Sequence, residues 1–287
     1  MTWLSDDAIA HLREVTELPD LTGTRYELVR ELGRGGMGIV YEVRDNELQR
    51  NVAMKVATED WVREARIIAR LEHPGIVPLY DAGTLVDGRF YYTMKLVRGR
   101  RLDEWVKEEH GLTERLRLFA RICEPVAFAH EQEVLHRDLK PQNVMVGELG
   151  AVLVMDWGIA RAADQHDGMV AGTLGYMSPE QARGDRLDVR SDVYALGAML
   201  RVLIGHAPRP LNAIVQKAMS NDAASRYESV RALRADVLRF LDNEPVSAYR
   251  ESFVERAGRW AGRNRVLLAL VAAYLLMRAI VFFWFRL

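Results

Sequence analysis

The sequence predicts an α+β chain that ends in a C-terminal transmembrane helix, on three observations. First, the β-type runs RYELVREL, IVYEVRD and VAMKV follow one another with only a glycine-rich loop and the polar turn NELQRN between them, which is antiparallel spacing. Second, helical periodicity takes over further along, most clearly in ERLRLFARICEPVAFAHEQEV; strands first and helices later is the pattern of an α+β fold. Third, Val266 to Phe285 runs for 20 positions with one charge, Arg278. At about 1.5 Å per residue that run spans a hydrocarbon core about 30 Å thick.

Taken in order, the N-terminal stretch MTWLSDDAIAHLREV predicts a short helix, with Ser5 as N-cap, Asp6 and Asp7 in the first turn and Leu4, Ala8, Ile9, Leu12 and Val15 on one face. It has no apolar core of the secretory kind. The chain carries 39 basic and 40 acidic residues, a net charge of −1, which gives no reason to expect a nucleic-acid partner. Cys123 is the single cysteine, so an internal disulfide and any multi-cysteine metal site are excluded. Lysine occurs only at 55, 95, 107, 140 and 217, and two of the five fall inside motifs.

GRGGMGIV, Gly33 to Val40, contains G-x-G-x-x-G. That string opens a helix under a dinucleotide pyrophosphate in one setting and covers the phosphates of ATP from a hairpin in another. The first setting requires a helix straight after the third glycine, whereas IVYEVRD is a β-type run. The hairpin reading gains. GRGGMGIVY, VAMK, HRDLKPQN, DWG and SPE, in that order, resemble the signature set of protein kinases, and GGMG with YMSPEQARG resembles the bacterial serine/threonine kinases in particular. The resemblance implies a bilobal protein-kinase fold over residues 25–242, with a β-rich N-lobe at 25–96 and a helical C-lobe at 97–242. Around it lie an N-terminal helical extension at 1–24, a basic juxtamembrane segment at 243–265 and the membrane helix at 266–285.

The same resemblance assigns roles to residues. ATP is expected along Leu32, Gly33, Arg34, Gly35, Gly36, Met37, Gly38, Ile39 and Val40, with Ala53 and Met145 about the adenine, Met94 as gatekeeper and the backbones of Lys95 and Val97 at the hinge. Lys55 is expected on the α- and β-phosphates, paired with Glu64. Asp138 is the base or orienting carboxylate, Lys140 the contact to the transferring phosphate, and Asn143 and Asp156 hold Mg²⁺, with Mn²⁺ as an alternative. Arg137, Trp157, Thr173, Glu180, Asp192 and Arg226 belong to the activation segment and its supports, with Glu180 paired to Arg226 and Asp192 bracing the catalytic loop. Ile68, Leu79, His136 and Trp157 form the apolar spine. The activity implied is transfer of the γ-phosphoryl of ATP to serine or threonine of protein substrates; the alternative is an ATP-binding scaffold without efficient transfer, and a homodimer is left open.

Three departures stand out. Trp157 replaces the usual phenylalanine of the DFG-type motif. GIARAADQHDGMVAG, between Trp157 and Thr173, has no hydroxyl side chain, so Asp164 or Asp167 is expected to supply negative charge to Arg137 in place of a phosphate. IGHAPRP leaves little room for the helix that many kinases use there for substrate docking. Arg250, Arg256, Arg259, Arg263 and Arg265 precede the apolar run and only Arg286 follows it, which places the preceding residues in the cytoplasm as part of a single-pass protein of the cytoplasmic membrane.

Overall fold

The computed structural model describes residues 18–35, 38–57, 62–157, 161–162 and 173–284. The helix expected at the N-terminus, Gly36, Met37, Asp164, Asp167 and Phe285 lie outside the described residues.

Five strands form the first sheet: β1 Tyr26–Gly35, β2 Gly38–Asp45, β3 Arg50–Ala57, β4 Leu79–Thr84 and β5 Phe90–Lys95. Their order is β1-β2-β3-β5-β4, and every neighbouring pair is antiparallel. The glycines therefore sit in a hairpin; Gly38, at φ 112°, starts β2 in a conformation that costs a residue with a Cβ but not glycine. Register divides the side chains between two faces because residues directly opposite share a side. Tyr41, Val43, Val52, Met54 and Val56 turn to one face and close a core with Tyr26, Leu85 and Tyr91. Val40 lies opposite Lys55, and Ala53 opposite Met94, so these four share the other face. Helix α1, Val62–Arg70, follows β3 and buries Ala65 and Ile68 in the larger core.

The second lobe begins with β6 Gly99–Arg101, α2 Leu102–Trp105 and α3 Leu112–Glu131. Helix α3 carries Leu116, Phe119, Ile122, Cys123 and Val126 into the core with almost no exposure. Burial also pushes the Cys123 thiol well above its ordinary range, which makes it an inert core group. Pro125 interrupts the helix ladder, yet its ring is buried and meets the segment leading from α1 to β4. A Cβ on Gly75 would come within 3.0 Å of that ring, so glycine there permits the close approach. Ile76 next to it bridges to Val154, joining the two lobes through backbone.

After α3 come β7 Val134–Leu135, β8 Val144–Gly147, β9 Val152–Val154 and β10 Arg161–Ala162. β6, β8 and β9 make a small sheet with β6 at its edge, while β7 pairs with β10. Four helices complete the lobe: α4 Pro179–Ala182, α5 Val189–Ile204, α6 Arg209–Ala218 and α7 Val230–Leu241. Asp188 caps α5 and Ser229 caps α7 by accepting backbone N–H bonds, each worth about 1 kcal/mol. The bilobal arrangement of β-sheet and helical parts is thus present.

Beyond α7 the chain is fastened before it leaves. The fully buried Asp236 carboxylate accepts from the Ser247 N–H at 2.8 Å, the Ser247 hydroxyl at 2.7 Å, the Ala248 N–H at 3.1 Å and the Tyr227 hydroxyl at 2.9 Å. Helix α8, Phe253–Arg263, then starts at a capping box of Ser252 and Glu255. α9, Arg265–Trp284, follows. Among the described residues no helix is long and apolar enough to cross a membrane, so the span expected at 266–285 is not shown by the fold. α9 begins on Arg265 and carries Arg278, and Val266, Leu270 and Leu276 on it are exposed.

Candidate active site

The segment between β7 and β8 turns sharply. Arg137 sits at φ 68°, a conformation uncommon for a residue with a side chain. The buried Asp192 of α5 holds it there: its two carboxylate oxygens accept from the His136 N–H at 2.9 Å and the Arg137 N–H at 3.0 Å. His130 of α3 completes the brace, with its Nε2 2.7 Å from Asp192. Burial works against ionisation of Asp192, but the hydrogen bond and charge of His130, with further help from His136, outweigh it and hold the carboxyl below its ordinary range. His136 is fully buried, and desolvation lowers its affinity for a proton.

The turn delivers Asp138, which is 5% exposed. Its Oδ2 accepts from Lys140 Nζ at 2.6 Å, and its Oδ1 from the Thr173 hydroxyl at 2.9 Å. Lys140 also donates to Thr173 Oγ1 at 2.9 Å. Asn143, in the 3-10 turn Pro141–Asn143, donates through Nδ2 to the Asp138 carbonyl at 2.8 Å and to Oδ2 at 3.2 Å. A carboxylate, an ammonium, an amide and a hydroxyl thus close one ring, although Thr173 lies 35 residues downstream of Asp138.

A second charged pair joins the lobes. Lys55 on β3 contacts Asp156 Oδ1 at 3.1 Å. The lysine side chain is 7% exposed and the carboxylate 32%, so the aspartate looks toward open space. Asp156 also has positive φ, 58°, which turns the chain after β9. Its neighbour Trp157 buries its ring against His136, with centroids 4.5 Å apart, and donates through Nε1 to the Val154 carbonyl at 3.4 Å. Ile68, Leu79, His136 and Trp157 are buried or partly buried about this core. The Glu64 backbone is in α1, but its side chain lies outside the described residues.

Along the sheet the expected nucleotide residues divide between the two faces: Val40 shares a side with Lys55, Ala53 and Met94, whereas Ile39 packs toward the Tyr41 core. Gly33 faces Val40 and Gly35 faces Gly38 across the β1–β2 hairpin, with Arg34 opposite Ile39. Leu32 at 39% exposure sits just ahead of them, and Arg34 pairs with Glu31 at 3.0 Å. Met145 lies on β8, opposite Leu153. The Lys95 N–H bonds to the Pro78 carbonyl at 3.2 Å, and Val97 follows in the connection to the second lobe.

Metal fit follows from donor chemistry. Among the described residues no three His, Cys, Asp or Glu side chains gather as a metal site. Mg²⁺ needs few protein ligands, since it keeps waters and takes phosphate oxygens. Lys55 engages one Asp156 oxygen, and the Asn143 amide nitrogen is turned to Asp138, which leaves the second Asp156 oxygen and the Asn143 amide oxygen. That oxygen set suits a hard cation bound together with a phosphate chain.

Glu180 and Arg226 meet as a double contact, Arg226 Nη1 to Oε1 at 2.6 Å and Nη2 to Oε2 at 2.7 Å. Ser191 donates to Oε1 at 2.9 Å. Burial opposes ionisation of Glu180, but the Arg226 hydrogen bonds, the backbone and Ser191 outweigh it and hold the carboxyl at about 2. Arg226 also donates to the carbonyls of Ser220 and Arg190 at 2.7 and 2.9 Å.

Two supports have no signal in the motifs. One is His130; the other is Gln181, whose Nε2 donates to the Arg137 carbonyl at 2.6 Å and so fixes the far side of the strained turn. Gln181 is next to Glu180 in SPEQ, and that adjacency is the only hint the sequence offers.

Comparison with known proteins agrees with this geometry. The protein kinase domain model matches residues 26–257. The chain is 37% identical to serine/threonine-protein kinase PknB of Mycobacterium tuberculosis, in a match covering 80% of this chain and 45% of that protein. It is 32% identical to the probable serine/threonine-protein kinase PknB of Bifidobacterium longum, over 81% of this chain and 42% of the relative. With serine/threonine-protein kinase PknD of Protochlamydia amoebophila it shares 30% identity, over 80% and 31% of the two chains. The matches therefore span less than half the length of these curated relatives.

Proposed function

The chain belongs to the protein kinase family, and from that premise we propose that it transfers the γ-phosphoryl group of ATP to serine or threonine hydroxyls of protein substrates. The observation that carries the reading is the cluster of Asp138, Lys140, Asn143 and Thr173 together with the Lys55–Asp156 pair, the two segments being tied by the Met155 N–H on the Asn143 carbonyl at 2.8 Å. Phosphoryl transfer asks little covalent chemistry of a protein; it asks for positioning and for charges placed where negative charge develops.

Asp138 orients the incoming hydroxyl and accepts its proton, which contributes about 10²–10⁴-fold. Lys140 neutralises charge on the phosphoryl group as it moves. Thr173 holds the carboxylate and the ammonium in one geometry, so the acceptor hydroxyl replaces a contact that already exists. Lys55 binds the α- and β-phosphates, and the hairpin from Leu32 to Val40 lays its backbone N–H groups over the chain of phosphates. Asn143 and Asp156 would hold Mg²⁺, which would supply positive charge to offset that of the phosphates. Ala53, Met94 and Met145 enclose the base. A single copy supplies all of these groups, so the transfer needs no homodimer. Nothing among them favours a scaffold that binds ATP without using it.

The reading extends to a membrane. Exposed Phe253, Val254 and Trp260 on α8, the arginines at 250, 256, 259, 263 and 265 and the apolar run from Val266 support α8 at the lipid surface and α9 as the anchor, with the kinase domain on the cytoplasmic side. The test for transfer is the purified chain with labelled ATP, Mg²⁺ and a generic protein substrate. Phosphoserine and phosphothreonine are expected, and label transfer unchanged by Asp138→Asn would sink the mechanism. For the anchor, the protein should stay in the membrane pellet after a carbonate wash; release overturns that part alone.

A further inference from the structure

A groove of about 760 Å³ lies on the second lobe, away from the Asp138 ring, between β6, the start of α3 and the turn after β8. Gly147 closes the end of β8 opposite Asn143, about 13 Å along the strand at about 3.3 Å per residue. Trp105, Leu118 and Val146 give it an apolar floor, and the His110 ring stacks on Trp105 with centroids 3.6 Å apart.

Three features of its wall favour an anion. Arg117 and Arg121 line it from successive turns of α3, both exposed; Arg117 has no partner among the described residues, and Arg121 spends one nitrogen on the Gly150 carbonyl at 2.7 Å. The 20-residue α3 starts there at Gly111 with no side-chain cap, leaving first-turn N–H groups open at the positive end of the helix. His110 Nε2 is buried without a hydrogen-bond partner. Two carboxylates share the wall: Glu114, beside His110 Nδ1 at 3.2 Å, and the exposed Glu148 at the far end; Glu108, next to the groove, engages Arg100 and stands 3.8 Å from His110 Nε2.

The shape favours an extended chain over a small ion. β6 is the edge of its sheet and lines the groove through Gly99 and Arg100, so its outer backbone groups can pair with an incoming strand. The link from α5 to α6 is also short, Ile204 to Arg209, which leaves that side of the lobe little surface for docking.

We propose that this groove docks an extended acidic segment of the protein substrate, with carboxylates on Arg117, Arg121 and the α3 N-terminus and an apolar side chain over Trp105 and Leu118. The proposal rests on the reading of the chain as a protein kinase. Docking away from the transfer centre raises the local concentration of the acceptor there.

The experiment uses the full chain and two fluorescein-labelled peptides without hydroxyl residues, one with three glutamates about a leucine and one with glutamines in their place. Anisotropy should show the glutamate peptide binding about tenfold more tightly or better. Arg117→Glu/Arg121→Glu should abolish the difference and leave transfer to a short acceptor peptide unchanged. Arg117→Glu alone, which breaks no hydrogen bond or ion pair among the described residues, repeats the measurement should loss of the Arg121–Gly150 bond disturb folding. Fusing the glutamate segment to the acceptor should lower KM about tenfold at constant kcat. Equal binding of the two peptides, glutamate binding retained in Arg117→Glu, or displacement by inorganic phosphate as effective as by the peptide would each overturn the proposal. If no short acceptor is phosphorylated, the kinase reading fails while the binding measurements still decide the groove.

Discussion

Asp138 and Glu180 are both buried carboxylates of the second lobe, each gripped by a cation and a hydroxyl, yet they are built for opposite ends. Asp138 is held by the side chains of Lys140, Thr173 and Asn143, groups that a substrate hydroxyl can displace or share. Glu180 is clamped by both arms of an Arg226 side chain that has no exposure at all, and that guanidinium is tied in turn to three backbone carbonyls. Partners that can be exchanged make a site; partners that cannot make a brace. The difference lies in what surrounds the carboxylate and not in the carboxylate itself.

Neutral substitutions separate the two most sharply. Asp138→Asn should lower kcat by about 10³-fold with little change in Tm, measured by labelled phosphate transfer and thermal unfolding; loss of the fold instead would make Asp138 a brace too. Glu180→Ala should do the reverse. It strands a buried guanidinium, costing about 3–5 kcal/mol, and Tm should fall by about 6–20 °C for a domain of this size. An unchanged Tm would mean that Arg226 finds other partners.

Thr173→Ala probes the exchangeable side more gently. It removes two hydrogen bonds with charged groups, the one given to Asp138 and the one accepted from Lys140, each about 1.5–3 kcal/mol, so kcat should fall by about tenfold or more while Tm moves little. A stability loss larger than the activity loss would place Thr173 with the braces.

Acid gives the smallest effect near neutrality. Glu180 is held at about 2 in the fold against 4.5 as its ordinary value. A depressed carboxyl stabilises the folded chain fully above about pH 4.5, and that contribution, about 3 kcal/mol, is lost as pH falls toward about 2. Wild-type Tm should therefore drop more steeply between pH 4.5 and 3 than that of Glu180→Gln. Parallel curves would assign the acid sensitivity to other carboxylates.

Much of this was legible in the sequence for local reasons. Strand alternation and the absence of a helix after Gly38 place the glycines in a hairpin, and β1, β2 and β3 stand where the β-type runs are. Lys55, Asp138, Asn143 and Asp156 announce themselves because each sits in a short motif. The groups that position them do not. His130 reaches Asp192 across 62 positions and Gln181 reaches the Arg137 carbonyl across 44, and neither distance leaves a periodic or spacing signal. The positive φ of Arg137 is equally silent, because arginine is not a residue that marks such a turn, whereas Asp156 is of a type that takes this conformation more readily. The helical periodicity runs straight through Pro125, but only the packing shows that its ring lies against Gly75.

The Asp236 clamp bears on how far the catalytic lobe can travel. Three hydrogen bonds from Ser247 and Ala248 land on the buried Asp236 carboxylate, so the strap after α7 is tied to the lobe at one point. Four residues later the capping box begins α8. Only residues 249–251 separate the tied segment from the Ser252 cap, a reach of about 10–14 Å, so the start of α8 can never stray far from the catalytic lobe.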